Sequence, residues 1–115
     1  MATIRTLTDP GQLDALLAAG RPVWLFKHSL TCGISARAWR QFEAFANSRP
    51  EAGALFAKVE VQRARELSRA IAERTGVRHQ SPQALLLSGG AAVWHESHWR
   101  ITERALSGAE AEAPP

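Results

Sequence analysis

From Val23 to Lys27 the chain is apolar with almost no alternation, and His28 follows. A strand covered on both faces produces such a run. The period then changes. Ile34, Ala38, Phe42 and Phe45 recur at helical spacing with Trp39 on the flank, while Arg37, Arg40 and Gln41 lie opposite. This predicts a helix over about Gly33 to Asn47, ended by Ser48-Arg49-Pro50, with Trp24 and Trp39 in the core. Leu55 to Val61 reads as a second strand. Ala64 to Arg74 reads as a helix with Leu67 and Ile71 inward, an Arg69/Glu73 pair at i,i+4, and Gly76 as its stop. Gln83 to Leu87 and Ala91 to His95 flank Ser88-Gly89-Gly90, a hairpin signal.

Upstream, Thr8-Asp9-Pro10 marks a helix start, with Asp9 as N-cap and Pro10 at the first helical position. Leu13, Leu16 and Leu17 form its apolar stripe and Gly20 its left-handed stop. A short strand over Ala2 to Leu7 precedes it. A last helix begins near Thr102. Gly108 to Pro115 reads as a poorly ordered tail, which leaves residues 1–107 as one domain. Strands alternating with helices and followed by a hairpin imply an α/β domain, a mixed sheet with helices on both faces.

Composition narrows the function classes. No stretch approaches the roughly 18 apolar residues of a membrane span, and Met1 to Gly11 has no apolar leader segment. A cytoplasmic protein without membrane contact is expected. The net charge is +3 and arginine far outnumbers lysine. The arginines from Arg37 to Arg78 are dispersed among Glu43, Glu66 and Glu73, the pattern of a solvated helix surface rather than a nucleic-acid interface. An anionic small-molecule partner agrees with the positive excess.

The chain has a single cysteine, Cys32. An internal disulfide and a multi-thiolate zinc site are therefore excluded. Thr31-Cys32-Gly33-Ile34-Ser35 lies between the buried strand and the second helix. That junction places the sulfur at a helix N-terminus, where unpaired amides and the helix dipole favour an anion, and the thiolate is the nucleophile. Ser35 lies one turn on, and its hydroxyl is expected to donate to the sulfur. It cannot resolve a disulfide, so an adduct on Cys32 persists until an outside thiol attacks. The opposite reading, a small buried apolar cysteine, is disfavoured by the polar and glycine neighbours.

Three blocks together carry a resemblance. They are Lys27-His28-Ser29 with Thr31-Cys32-Gly33-Ile34-Ser35, then Val77, His79 and Ser81-Pro82-Gln83-Ala84, then Trp94-His95, Ser97-His98-Trp99 and Ile101-Thr102-Glu103. In this order they resemble the YtxJ-like monothiol bacilliredoxins, from about Val23 to Leu106. The resemblance implies a thioredoxin-like fold and redox homeostasis built on bacillithiol, a low-molecular-weight thiol. It implies that Cys32 takes bacillithiol from S-bacillithiolated client proteins, with bacillithiol as co-substrate and no bound cofactor or metal. A monomer or weak dimer is expected. The family often has proline after the cysteine, where this chain has Gly33. The resemblance further implies a cis bond before Pro82, which would offer the backbone of Ser81 to an extended client segment.

Thr31, Gly33, Ile34, Ser35 and His28 are thus expected to stabilise the thiolate, and Lys27, His79, Ser81 and Pro82 to contact substrate. Lys27 is read as positive charge for the thiolate, as a contact to a carboxylate of bacillithiol, or as a side chain reaching out of the sheet edge. Trp94, His95, His98 and Trp99 read as packing of the last helix rather than as a metal site. Two alternatives stand beside oxidoreduction. Cys32-Gly33-Ile34-Ser35 is close to the C-G-F-S of monothiol glutaredoxins, which share a [2Fe–2S] cluster between two chains. The other is a non-catalytic module with an inert thiol.

Overall fold

The computed structural model describes residues 1–113. Its elements run β1 (Ile4–Leu7), α1 (Pro10–Leu17), β2 (Val23–His28), α2 (Gly33–Asn47), β3 (Leu55–Glu60), α3 (Arg65–Thr75), β4 (Gln83–Ser88), β5 (Ala91–Ser97), a single 3-10 turn (His98–Arg100) and α4 (Glu103–Glu112). The five strands form one sheet in the order β1-β3-β2-β4-β5. β1 and β2 run parallel to β3, β4 runs antiparallel to β2, and β5 antiparallel to β4. The mixed α/β architecture expected from the element order is the one found.

Strand pleating sorts the core. Successive side chains of a strand face opposite sides. Trp24 and Phe26 of β2 therefore join Phe42, Phe45 and Leu106 on the face covered by α2 and α4. Val23 and Leu25 join Leu13, Leu67 and Ile71 on the face covered by α1 and α3. Trp24 is fully buried and meets Phe45 edge to face, their ring centroids 5.1 Å apart. Trp39 is only half-buried, capped by the Lys58 ammonium 4.9 Å from its ring. The same parity continues past the apolar run. Lys27 falls on the α3 side of the sheet and His28 on the α2 side, and this separation decides their partners.

Local signals explain the helix boundaries. Asp9 Oδ1 accepts the amide of Gln12 at 3.0 Å, with Pro10 opening α1. Asp9→Ala is expected to cost about 1 kcal/mol of unfolding free energy in a urea titration, since one orphan amide loses its acceptor. Gly76 caps α3 at φ +71, the left-handed geometry that ends a helix, whereas α1 ends at a right-handed Ala18 and Gly20, also at φ +71, turns the chain two residues later. No Arg69–Glu73 ion pair forms among the described residues. Instead Arg74 pairs with Asp14 and ties α3 to α1.

The expected tail departs most from the structure. Residues 108–112 continue α4, and Leu106 and Ala109, one turn apart, are buried against α2. Arg49 at the end of α2 donates to Glu110 at 2.7 Å and fixes the same segment. Thr102 caps the start, its hydroxyl accepting the amide of Ala105 at 3.1 Å. Pro114 and Pro115, also assigned to the tail, lie outside the described residues. None of the described helices is long and apolar enough to cross a membrane.

Candidate active site

Cys32 is the N-cap of α2, with extended backbone at φ −114 and ψ 123, and it is partly exposed. No side chain caps this helix. The amides of its first turn are left pointing toward the sulfur end with no protein acceptor, which is the anion-favouring arrangement. Such a placement is the opposite of an apolar burial. Thr31 and Gly33 are exposed and Ile34 is half-buried. A Cβ added at Gly33 would meet nothing within 4 Å, so the pocket itself does not demand glycine.

Ser35 does something other than expected. It is fully buried. Its Oγ accepts the Ser29 amide at 2.9 Å and lies 2.9 Å from His28 Nδ1. Burial, and then the charge of Lys58, hold His28 below its ordinary value of 6.5, with Glu60 pulling the other way. The Ser35 hydroxyl thus bridges the Ser29 amide and the His28 ring, and no hydrogen bond from it to Cys32 occurs among the described residues. The Ser35–His28 pair therefore braces the loop before the cysteine, and the expected hydrogen bond to the sulfur is replaced by this brace. His28, expected to support the thiolate directly, acts on the loop through Ser35.

Ser35→Ala is expected to lower unfolding free energy by about 1–3 kcal/mol, because a part-buried amide and a ring nitrogen lose their partner together. His28 also sets a pH dependence. A histidine depressed in the folded state contributes stability that is full above the unfolded value of 6.5 and is lost as pH falls through the lower folded value. Melting temperature is expected to be flat above about 6.5 and to fall as pH drops from there to the lower folded value. His28→Gln should remove its share of that slope and leave the share of His79, which burial also holds low.

Lys27 also departs from its expected position. It does not reach out of the sheet; it is fully buried, its Nζ donating to Ser68 O at 2.9 Å and lying 3.1 Å from His79 Nδ1. It cannot touch a substrate directly. Desolvation lowers it from 10.5 to about 8. His79 is itself held low by burial and by the Lys27 charge. The pair is thus an ammonium donating to a neutral imidazole, with the histidine ring exposed on its other side.

On the neighbouring loop the Ser81–Pro82 bond is cis. Pro82 is buried and its carbonyl accepts the His98 amide at 3.1 Å. Ser81 Oγ is buried with no hydrogen-bond partner among the described residues. The late aromatic and histidine group disperses. Trp94 packs edge-on to Trp24 at 5.7 Å, His95 is exposed, and Trp99 stays 59% exposed with the Arg37 guanidinium 5.0 Å from its ring. Trp99 thus does not pack the last helix. No cluster able to hold a metal ion occurs among the described residues.

Two participants were missed in the sequence. Gln62 follows β3 and spans to the cysteine loop, its Oε1 accepting the Leu30 amide at 3.0 Å and its Nε2 donating to Ser29 Oγ at 2.9 Å. No local pattern announces it, because the loop it braces is about 30 residues earlier in the chain. Ser68 was detectable, as a polar residue beside Leu67 on the inward stripe of α3.

A lone thiol at the N-cap position of a helix without a side-chain cap, after the central strand of this sheet, defines a single-cysteine protein of the thioredoxin class. Solved structures agree on the fold. One, described as having a thioredoxin fold, is 36% identical with a TM-score of 0.85, covering 93% of each chain. Fasciola hepatica thioredoxin is 22% identical with a TM-score of 0.77, covering 96% of this chain and 99% of its own. A mutant Entamoeba histolytica thioredoxin is 22% identical with a TM-score of 0.76, covering 96% of this chain and 100% of its own. The family model for monothiol bacilliredoxin BrxC matches residues 5–106, and the chain belongs to that family. Family and fold together support a thiol-oxidoreductase role.

Proposed function

We propose that this protein removes bacillithiol from S-bacillithiolated proteins through a mixed disulfide on Cys32. The Cys32 thiolate attacks the bacillithiol sulfur of the client adduct. A Cys32–bacillithiol disulfide forms while the bond between client sulfur and bacillithiol breaks. The client sulfur leaves with the electron pair and takes a proton from solvent. A second thiolate, such as another bacillithiol, then attacks the bacillithiol sulfur held on Cys32 and releases the Cys32 thiolate together with a symmetrical disulfide. No electrons are gained or lost overall in the first exchange, and the second thiol supplies the reducing equivalent in the next.

The observation that carries the reading is the environment of the sulfur. It is partly exposed, it stands at the N-cap position of a helix with no side-chain cap among the described residues, and the residue one turn on is a buried serine already bonded elsewhere. Such a site accepts an adduct and has no internal means of discharging it. A reducing compartment such as the cytosol suits that chemistry, since free thiols persist there. Intact-mass spectrometry after mixing with a bacillithiolated client tests the proposal. The expected result is one bacillithiol added to the wild type and none to Cys32→Ala. An unmodified wild type, or equal gain on the variant, overturns it.

A further inference from the structure

Beside the cysteine loop, α3 and the loop carrying His79 border an open groove of about 460 Å³, in which Val61 and Ala72 supply apolar surface and Gln62, Arg65, Ser68, Arg69 and His79 the polar groups. No aspartate or glutamate lines it. Arg65 and Arg69 are four apart on α3, so they stand on one face about 6 Å apart along the axis. Neither forms an ion pair among the described residues. Like charges at that spacing repel unless an anion lies between them.

Behind the wall lies a further unbalanced charge. The Lys27 ammonium is fully buried, and its hydrogen-bond partners are a backbone carbonyl and an imidazole, both neutral. A buried cation without a counter-ion is costly, and its field extends into the adjoining space. His79 accepts from Lys27 at Nδ1, so the proton of the neutral ring sits on Nε2 and adds a donor to the groove-lining residue. Two planar guanidiniums suit the forked geometry of carboxylates better than ammonium groups would. Gln62 joins this groove to the redox site, since it lines the one and holds Ser29 and Leu30 of the other.

We infer that this groove is a subsite for the carboxylate-bearing end of a low-molecular-weight thiol whose sulfur is exchanged at Cys32. The inference rests on the function proposed above. In bacillithiol the matching group is the malyl unit with its two carboxylates. Arg65 and Arg69 clamp the carboxylates, His79 adds a neutral donor, and Lys27 acts from behind as fixed positive charge. The client protein then needs no fixed sequence next to its modified cysteine, because recognition is of the small thiol.

Two measurements test the subsite and separate it from the function on which it rests. The first follows amide shifts of Cys32→Ser on titration with malate and, separately, with inorganic phosphate. Malate is expected to shift Gln62, Arg65, Arg69 and His79 and to lose that effect in Arg65→Ala/Arg69→Ala, while Arg5→Ala on the edge strand keeps it. No shift with malate, or equal response to phosphate, overturns the carboxylate subsite whatever the redox activity. The second compares exchange with a bacillithiol adduct and with an uncharged mercaptoethanol adduct of one client. The double variant is expected to raise KM for the bacillithiol adduct about tenfold, with kcat little changed and the mercaptoethanol adduct unaffected. Equal losses on both adducts, or none on either, overturn the subsite. A wild type that binds malate but discharges only the mercaptoethanol adduct would sink the bacillithiol function together with the subsite's assignment to that thiol.

Discussion

Cys32→Ala is expected to lower the rate of client release by at least about a thousandfold, to the level of the uncatalysed exchange. The reason is that the chain has one sulfur nucleophile and no second thiol to substitute for it. The matching gain is expected at Ser35. Residues three apart in a helix bring their Cα atoms to about 5 Å, within disulfide range. Ser35→Cys should therefore discharge an adduct from within. Intact mass should return to that of the free chain less two hydrogens, where the wild type keeps its adduct until an external thiol is added. An adduct equally long-lived in Ser35→Cys would mean that the two positions do not face each other. Stability of that variant is expected to fall modestly, since the Ser29 amide and His28 lose an oxygen partner.

Lys27→Met is expected to stabilise the fold at neutral pH by about 1–3 kcal/mol in urea unfolding, because it replaces a buried charge by an apolar side chain of similar length. The sign follows from linkage. Lys27 titrates near 8 in the folded protein against 10.5 when unfolded. Below about 8 both states carry the charge and the folded state bears its full desolvation cost. As pH rises from there to 10.5 the unfolded chain holds more protons, so wild-type stability climbs. Above that the cost is gone. The advantage of Lys27→Met should thus vanish across this window, and a gain independent of pH would show that packing rather than charge was responsible. A residue kept at such a cost, against a histidine on a groove wall, fits a role outside stability. The same variant should weaken malate binding.

Element order and the site's nucleophile were legible early because both rest on local signals. The unalternating run at Val23 to Lys27, the cap at Asp9 and the left-handed glycines at Gly20 and Gly76 each act within a few residues, and each is found where expected. The sequence alone predicts too short an α4, because Gly108 and the terminal prolines outweigh a sparse stripe at Leu106 and Ala109. Burial against Phe45 and Ala46, which are some 60 residues away in sequence, supplies the stabilisation that propensity lacks.

The sequence by itself determined that one sulfur sits between a buried strand and an amphipathic helix, and that the chain has no second thiol to seal it. It also determined which residues share a strand face, since the pleat alternates without exception along β2. Only the tertiary structure decided what each face meets. Lys27 and His28 are neighbours in the chain, yet one is drawn to Ser68 and His79 under α3 and the other to Ser35 under α2. Hydrogen-bond partners of buried polar groups come from distant segments, and a sequence records the need for a partner without recording where the fold will supply it.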